Sequence, residues 1–138
     1  MTALSIEALA REVSNAPLHA WLGVRVLELN EANGSVRVEL PFRDEFRRAP
    51  GRPEVHGGIL SALADLAGHA VVAARLGHGV PTIDLRIDYL RMASGAYLTA
   101  LATPVKIGRT IAVVDVQIFD PESRIVAVGR GAFSTRQG

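Results

Sequence analysis

Cysteine is absent from all 138 residues, which removes disulfides, thiolate metal sites and thiol nucleophiles from consideration. A cytoplasmic location fits that absence. Charge of one sign is lacking as well. Fifteen Lys and Arg stand against fourteen Asp and Glu, a formal charge of +1, so no broad basic face for nucleic acid is expected. Any anionic ligand has to be met by a few local cations. Aromatic residues make up only 5%, too few to stand out as a stacking platform. Nor is there an uninterrupted membrane-length run: the most apolar window, Gly57 to Ala74, contains Asp65 and His69 and at about 18 residues barely reaches spanning length. The opening MTALSIEALAREV is broken by Glu7, Arg11 and Glu12, so it does not read as a signal peptide. Ile6, Leu9 and Val13 following Ser5 predict instead an amphipathic helix over about residues 4–15.

The chain has the length of one domain, taken as residues 1–138. Two alternating segments, VRVLELN and SVRVELP, flank Asn33-Gly34 and predict a hairpin. FRDEFRRAPGRPE, residues 42–54, is charged and holds two prolines; it reads as a loop, and as the entrance for a ligand. Residues 57–76 are rich in Ala and Leu and too long for a strand, so they predict one nearly all-round buried helix ending at Gly77 to Gly79. TIDLRIDYLR, YLTALATPVKI, TIAVVDVQIFD and RIVAVGRGAFST then predict four strands. In the first of these, Ile83, Leu85, Ile87 and Tyr89 alternate with Asp84, Arg86 and Asp88, so one face meets the helix and the other is polar. The fold class is α+β: a central helix wrapped by a curved antiparallel sheet of about five to six strands.

Several short stretches carry a resemblance: His56-Gly57-Gly58, Ala64-Asp65, Asp88-Tyr89-Leu90-Arg91, Lys106-Ile107-Gly108-Arg109 and Gly131-Ala132-Phe133. In this order and spacing they resemble the hotdog-fold acyl-CoA thioesterases of the phenylacetic-acid-degradation (PaaI-like) branch, over about Leu22 to Ser134. The resemblance implies a hotdog fold assembled as dimers and often tetramers. It also implies hydrolysis of a coenzyme A thioester to a carboxylate and free thiol, with no separate cofactor.

The residues themselves support parts of such chemistry. Gly57 and Gly58 open the helix, where backbone N–H groups lack intrahelical partners and the dipole favours negative charge. The Gly57 N–H is therefore the candidate oxyanion donor, and the bare Gly58 lets a thioester approach the backbone. Asp65 is the candidate general base or nucleophile, either activating water or attacking the thioester through an anhydride. A solvent-facing role, pairing with Arg75 or with an arginine of another subunit, or a contact with His69, is the blander alternative. Asp65 lies eight residues beyond Gly57, about 12 Å of helical rise, too far for one carbonyl to reach both. Two helices crossing antiparallel on a two-fold axis would bring Gly57 of one chain to Asp65 of the other, and the resemblance implies the same dimer.

His56 is a candidate to touch the substrate carbonyl. Thr82 stands where similar enzymes place a hydroxyl near the water. Arg91, Lys106 and Arg109 are the candidate partners of the coenzyme A phosphates. Asp65 and His69 have metal-ligand spacing, but His19 and His78 lie elsewhere and no HExxH motif is present, so no metal is expected. One departure matters: relatives often carry Asn six residues before the histidine, where this chain has Pro50, leaving Arg48 or Arg52 as substitute cations. Met92, where relatives often have Pro, should change little. Two other readings share the fold. A non-catalytic acyl-CoA-binding module would leave Asp65 without chemistry. A hydratase would need a D-x-x-x-x-H motif ahead of the helix, which Asp44 and Glu45 do not provide.

Overall fold

A computed structural model describes residues 3–136. Ser5 opens the first helix, α1 (Ile6–Asn15), by accepting the Ala8 N–H on its hydroxyl, and Leu9 and Val13 are the residues that α1 buries. A short second helix, α2 (Pro17–Leu22), follows. Pro17 sits in its first turn, where a missing N–H costs nothing, and Gly23 closes it at φ 75°. The six residues of α2 are too few for a periodic signal, which is why the sequence pattern alone passes over it.

The hairpin joins β1 (Arg25–Leu29) to β2 (Val36–Pro41), but its turn is longer than the two residues that Asn33-Gly34 predicts. Asn30 organises it. Its side chain accepts the N–H groups of Ala32 and Asn33, and its carbonyl accepts that of Gly34 at 2.7 Å. Gly34 supplies the positive φ of 77° that the reversal needs. A 3₁₀ turn (Asp44–Phe46) then anchors the charged loop by burying Phe46 completely.

The long helix α3 runs Gly57–Leu76 and ends in a left-handed Gly77, as the sequence predicts. Strands β3 (Thr82–Tyr89), β4 (Tyr97–Ile107), β5 (Ile111–Phe119) and β6 (Ile125–Ser134) complete one antiparallel sheet in the order β1-β2-β4-β5-β6-β3. Its inner face presents Val36, Val38, Ala100, Ala112, Val114, Val116 and Phe133 to α3, all of them buried. Small residues let the helix lie close: a Cβ on Gly68 would stand 2.7 Å from the Phe133 ring. By length and apolar character α3 would pass for a membrane span, yet 67% of its most apolar window is buried inside this fold.

Burial on α3 is not all-round. Gly58, Ser61, Ala62, Asp65 and His69 form a stripe at helical spacing that the sheet leaves open. The edge strand β3 flanks α3 and pairs only with β6. Leu85 and Ile87 pack on the core, but Ile83 does not follow the predicted alternation: a bulge between Thr82 and Asp84 leaves it 55% exposed.

Candidate active site

His56 precedes α3 in extended conformation and caps it with its own ring. Four N–H groups at a helix start cannot be satisfied within the helix. Here His56 N–H donates to the Phe46 carbonyl at 2.7 Å, Gly58 N–H to His56 Nδ1 at 2.8 Å, and Ile59 N–H to the His56 carbonyl at 3.0 Å. The fourth, on Gly57, donates to no group among the described residues. A single uncommitted donor thus remains at the positive end of a 20-residue helix dipole. Gly58 contributes its missing side chain rather than its N–H. Because Nδ1 accepts a hydrogen bond, the neutral His56 ring carries its proton on Nε2.

Gly57 lines a groove of about 470 Å³ together with Arg48, Val55, Leu60, Tyr89, Leu90 and Arg91 among others. Arg91 forms no ion pair among the described residues, so its charge is available to a ligand. Arg48 and Arg52 differ. Both close on Glu54 Oε1, at 2.9 Å each, and do not fill in for the side chain that Pro50 lacks. The Arg48 hydrogen bond, then Arg52, holds the Glu54 carboxyl below the ordinary carboxylate range.

Asp65 lies on the open stripe of α3, partly buried, and its Oδ1 accepts the Thr82 hydroxyl at 2.6 Å. Its other oxygen has no partner among the described residues. Asp65 forms no ion pair with Arg75 among the described residues, and His69 Nδ1 binds the Val80 carbonyl at 3.2 Å rather than the carboxylate. His69 also meets His19 edge to face, ring centroids 6.0 Å apart. Burial lowers the His69 pKa from its ordinary value. No group of three metal-ligating side chains is assembled among the described residues.

The sheet register divides the candidate residues. Thr82 aligns with Phe133, Ala112 and Ile107 across β6, β5 and β4. Lys106 and Arg109 therefore share the sheet end that holds Thr82 and Asp65, and neither forms an ion pair among the described residues. Tyr89 aligns with Ala127, Ile118 and Ala100 at the opposite end, where Gly57, His56 and Arg91 lie. Two further residues belong to this second group. The Tyr89 hydroxyl donates to the Gly57 carbonyl at 3.0 Å and also meets the Ser61 hydroxyl. Sequence reading passes over both, although Tyr89 sits within the quoted Asp88-to-Arg91 stretch and Ser61 is one turn beyond Gly57.

Comparison with known proteins places the fold in a family. Residues 54–127 match the family model described as the thioesterase superfamily. A Halobacterium salinarum protein named "Putative esterase" is 36% identical over 132 residues, covering 88% of this chain and 85% of that protein. A solved structure of a protein from the thioesterase superfamily superposes with a TM-score of 0.89 at 34% identity, over 95% of this chain and 98% of that one. A Ralstonia eutropha structure described as a phenylacetic acid degradation-related protein shares the fold, with a TM-score of 0.80 at 22% identity over 92% and 98% of the two chains. With the long helix wrapped by a six-stranded antiparallel sheet, these matches establish that the chain is a hotdog-fold member of the thioesterase superfamily.

Proposed function

We propose that the protein is an acyl-CoA thioesterase that works as a homodimer, each site built from the Gly57 end of one chain and the Asp65 end of the other. The observation that carries this reading is the division just described. One chain offers an uncommitted oxyanion donor and, about 12 Å further along the same helix, a half-committed carboxylate. Neither end is a complete site.

The exposed edge of β3 supports the assembly. It is unpaired on its outer side, and Ile83, Tyr89, Leu90 and Met92 are each more than half exposed along it. Such an edge is a template for another strand. Antiparallel pairing of two β3 strands about their centre, near Leu85 and Arg86, sets Tyr89 of one chain opposite Thr82 of the other. Tyr89 covers Gly57 and Thr82 holds Asp65, so this register joins the two ends of the site twice per dimer.

In the reaction the thioester oxygen takes the Gly57 N–H and the His56 Nε2–H. Asp65 of the other chain, its Oδ1 fixed by Thr82, takes a proton from water through Oδ2. The water oxygen bonds to the carbonyl carbon, and negative charge develops on the thioester oxygen at the helix N-terminus, where one donor is worth about 3–4 kcal/mol. Collapse breaks the C–S bond, and the proton held by Asp65 passes to the departing thiolate. Direct attack by Oδ2, forming an anhydride that water then opens, uses the same geometry. Arg91 from one chain, with Lys106 and Arg109 from the other, is assigned to the phosphates of coenzyme A.

The test is thiol release from a panel of aryl and aliphatic acyl-CoAs, with molecular mass measured by sedimentation. Turnover by a dimeric wild type, abolished in Asp65→Asn without loss of assembly, is the expected result. Acyl-CoA binding without thiol release would overturn the enzymatic reading in favour of a binding module.

A further inference from the structure

The hydrogen bonds around Tyr89 form a directed chain. A phenol has one proton, and that of Tyr89 goes to the Gly57 carbonyl at 3.0 Å. In the contact between Tyr89 and Ser61, the serine hydroxyl is therefore the donor. The Gly57 carbonyl and the Gly58 N–H belong to one peptide group, and that N–H donates to His56 Nδ1 at 2.8 Å. Proton donation thus runs one way, from Ser61 to Tyr89, through the Gly57–Gly58 peptide, into the imidazole. An amide whose oxygen accepts a hydrogen bond is a stronger donor at nitrogen.

We propose that Tyr89 and Ser61 are positioning residues that hold His56 as an Nε2–H donor beside the Gly57 N–H. The inference rests on the thioesterase reading for its purpose, though not for its geometry. In that reading the His56 proton is the second oxyanion donor, in a chain where Pro50 replaces the amide that similar sequences place there. The surroundings leave the ring little alternative. A Cβ on Gly58 would stand 3.0 Å from Nδ1 and 3.2 Å from Cε1. The Tyr89 ring lies 3.4 Å from where a Gly57 Cβ would be, so ring and hydroxyl together fix the peptide. Tyr89 is otherwise 53% exposed at the end of an edge strand. Packing into the core of its own chain does not account for an aromatic there, whereas orienting the peptide does.

Tyr89→Phe keeps the ring over Gly57 and removes only the hydroxyl; Ser61→Ala removes the next donor back on a helix that tolerates alanine. The readout independent of turnover is NMR of ¹⁵N-labelled protein without substrate, at about pH 8 where a free imidazole is neutral. In wild type, His56 Nδ1 is expected at a hydrogen-bonded acceptor position and the Gly58 amide proton downfield and slow to exchange. In Tyr89→Phe the Gly58 amide should move upfield and exchange at least about tenfold faster, with His56 Nδ1 shifting toward a free acceptor. On the preferred acyl-CoA, kcat should fall roughly tenfold with KM within about a factor of two, below the hundredfold of deleting a donor outright. Ser61→Ala should move the same signals less. Unchanged Gly58 and His56 signals in Tyr89→Phe would overturn the proposal. Shifted signals in a protein that turns over no acyl-CoA would leave the positioning role standing and remove the thioesterase reading instead.

Discussion

At the first turn of α3, three of the four N–H groups that need outside partners have found them and the fourth, on Gly57, is held open. Two turns later, Asp65 has one oxygen closed on Thr82 and the other open. One end is a donor with no acceptor, the other an acceptor with no donor, and the rise between them keeps them from serving each other. They are also braced differently. The first turn is fixed by its own cap, by Tyr89 and by a loop in which Arg48 and Arg52 grip Glu54. Asp65 is fixed by the first residue of β3. Incomplete halves of opposite character, each braced by hydrogen bonds, are what the proposed site between two copies requires, and such bracing is the means by which electrostatics are preorganised.

The largest expected effect removes one half. Asp65→Asn keeps an acceptor for Thr82 but cannot take a proton or form an anhydride, so kcat should fall about 10²–10⁴-fold. Thiol release by a folded, assembled variant checks it. The sharper experiment mixes halves. Gly57→Val places methyl groups against Tyr89 and closes the approach to the N–H, and that variant alone should also be inactive. Co-expressed with Asp65→Asn, it should restore about one quarter of the wild-type rate in the proposed dimer, because half the dimers are mixed and each holds one intact site. No restored activity in demonstrably mixed dimers would place both halves in one chain and break the comparison.

Next in size is the edge. Ile83→Lys puts a charge on the apolar rim of β3 and should shift the dimer toward monomer, with activity lost in proportion as sedimentation reports dissociation. Thr82→Val should leave assembly intact and lower kcat about tenfold, since it removes one hydrogen bond to a charged carboxylate.

How far each half can be read from sequence follows from the range of its contacts. The N-terminal turn is largely legible: His56-Gly57-Gly58 is contiguous, and helix starts leave known groups unpaired. The helix limits and the succession of strands along the chain are legible because twenty residues rich in Ala and Leu, and four alternating runs, carry strong periods. What escapes depends on partners far apart in the chain. Tyr89 reaches Gly57 across 32 residues, and Ser61 looks like any helical serine until Tyr89 is placed above it. The bulge that turns Ile83 outward follows from pairing with β6, not from the alternation of β3 itself. The six-residue α2 and the Asn30-centred turn are local, but too short to override stronger neighbouring signals.

The smallest expected effect concerns the stretch of α3 just beyond Asp65. His69 follows it by one turn, bound to the Val80 carbonyl, with His19 at its edge and Glu12 and Asp65 as the nearby acids. Burial, reinforced by His19, disfavours the charged ring and outweighs the opposing pull of Val80 and the two acids, so the pKa is lowered. Below the ordinary histidine value the unfolded chain therefore binds a proton that the folded chain resists. Stability rises with pH across that window, is complete above about 6.5, and is lost as pH falls toward the lowered folded value. Denaturant unfolding at several pH values should show this acid slope in wild type and a flatter one in His69→Gln. Because His69 ties α3 to the residues leading into β3, while Asp65 ties it to Thr82, the proton taken up by His69 should leave the Gly57 end unaffected: the Gly58 amide signal, which answers to its acceptor His56 Nδ1, should follow the same pH course in wild type and in His69→Gln. A Gly58 pH course that differed between the two proteins would mean that the two ends of α3 are coupled within one chain, and the comparison of two separately braced halves would fail.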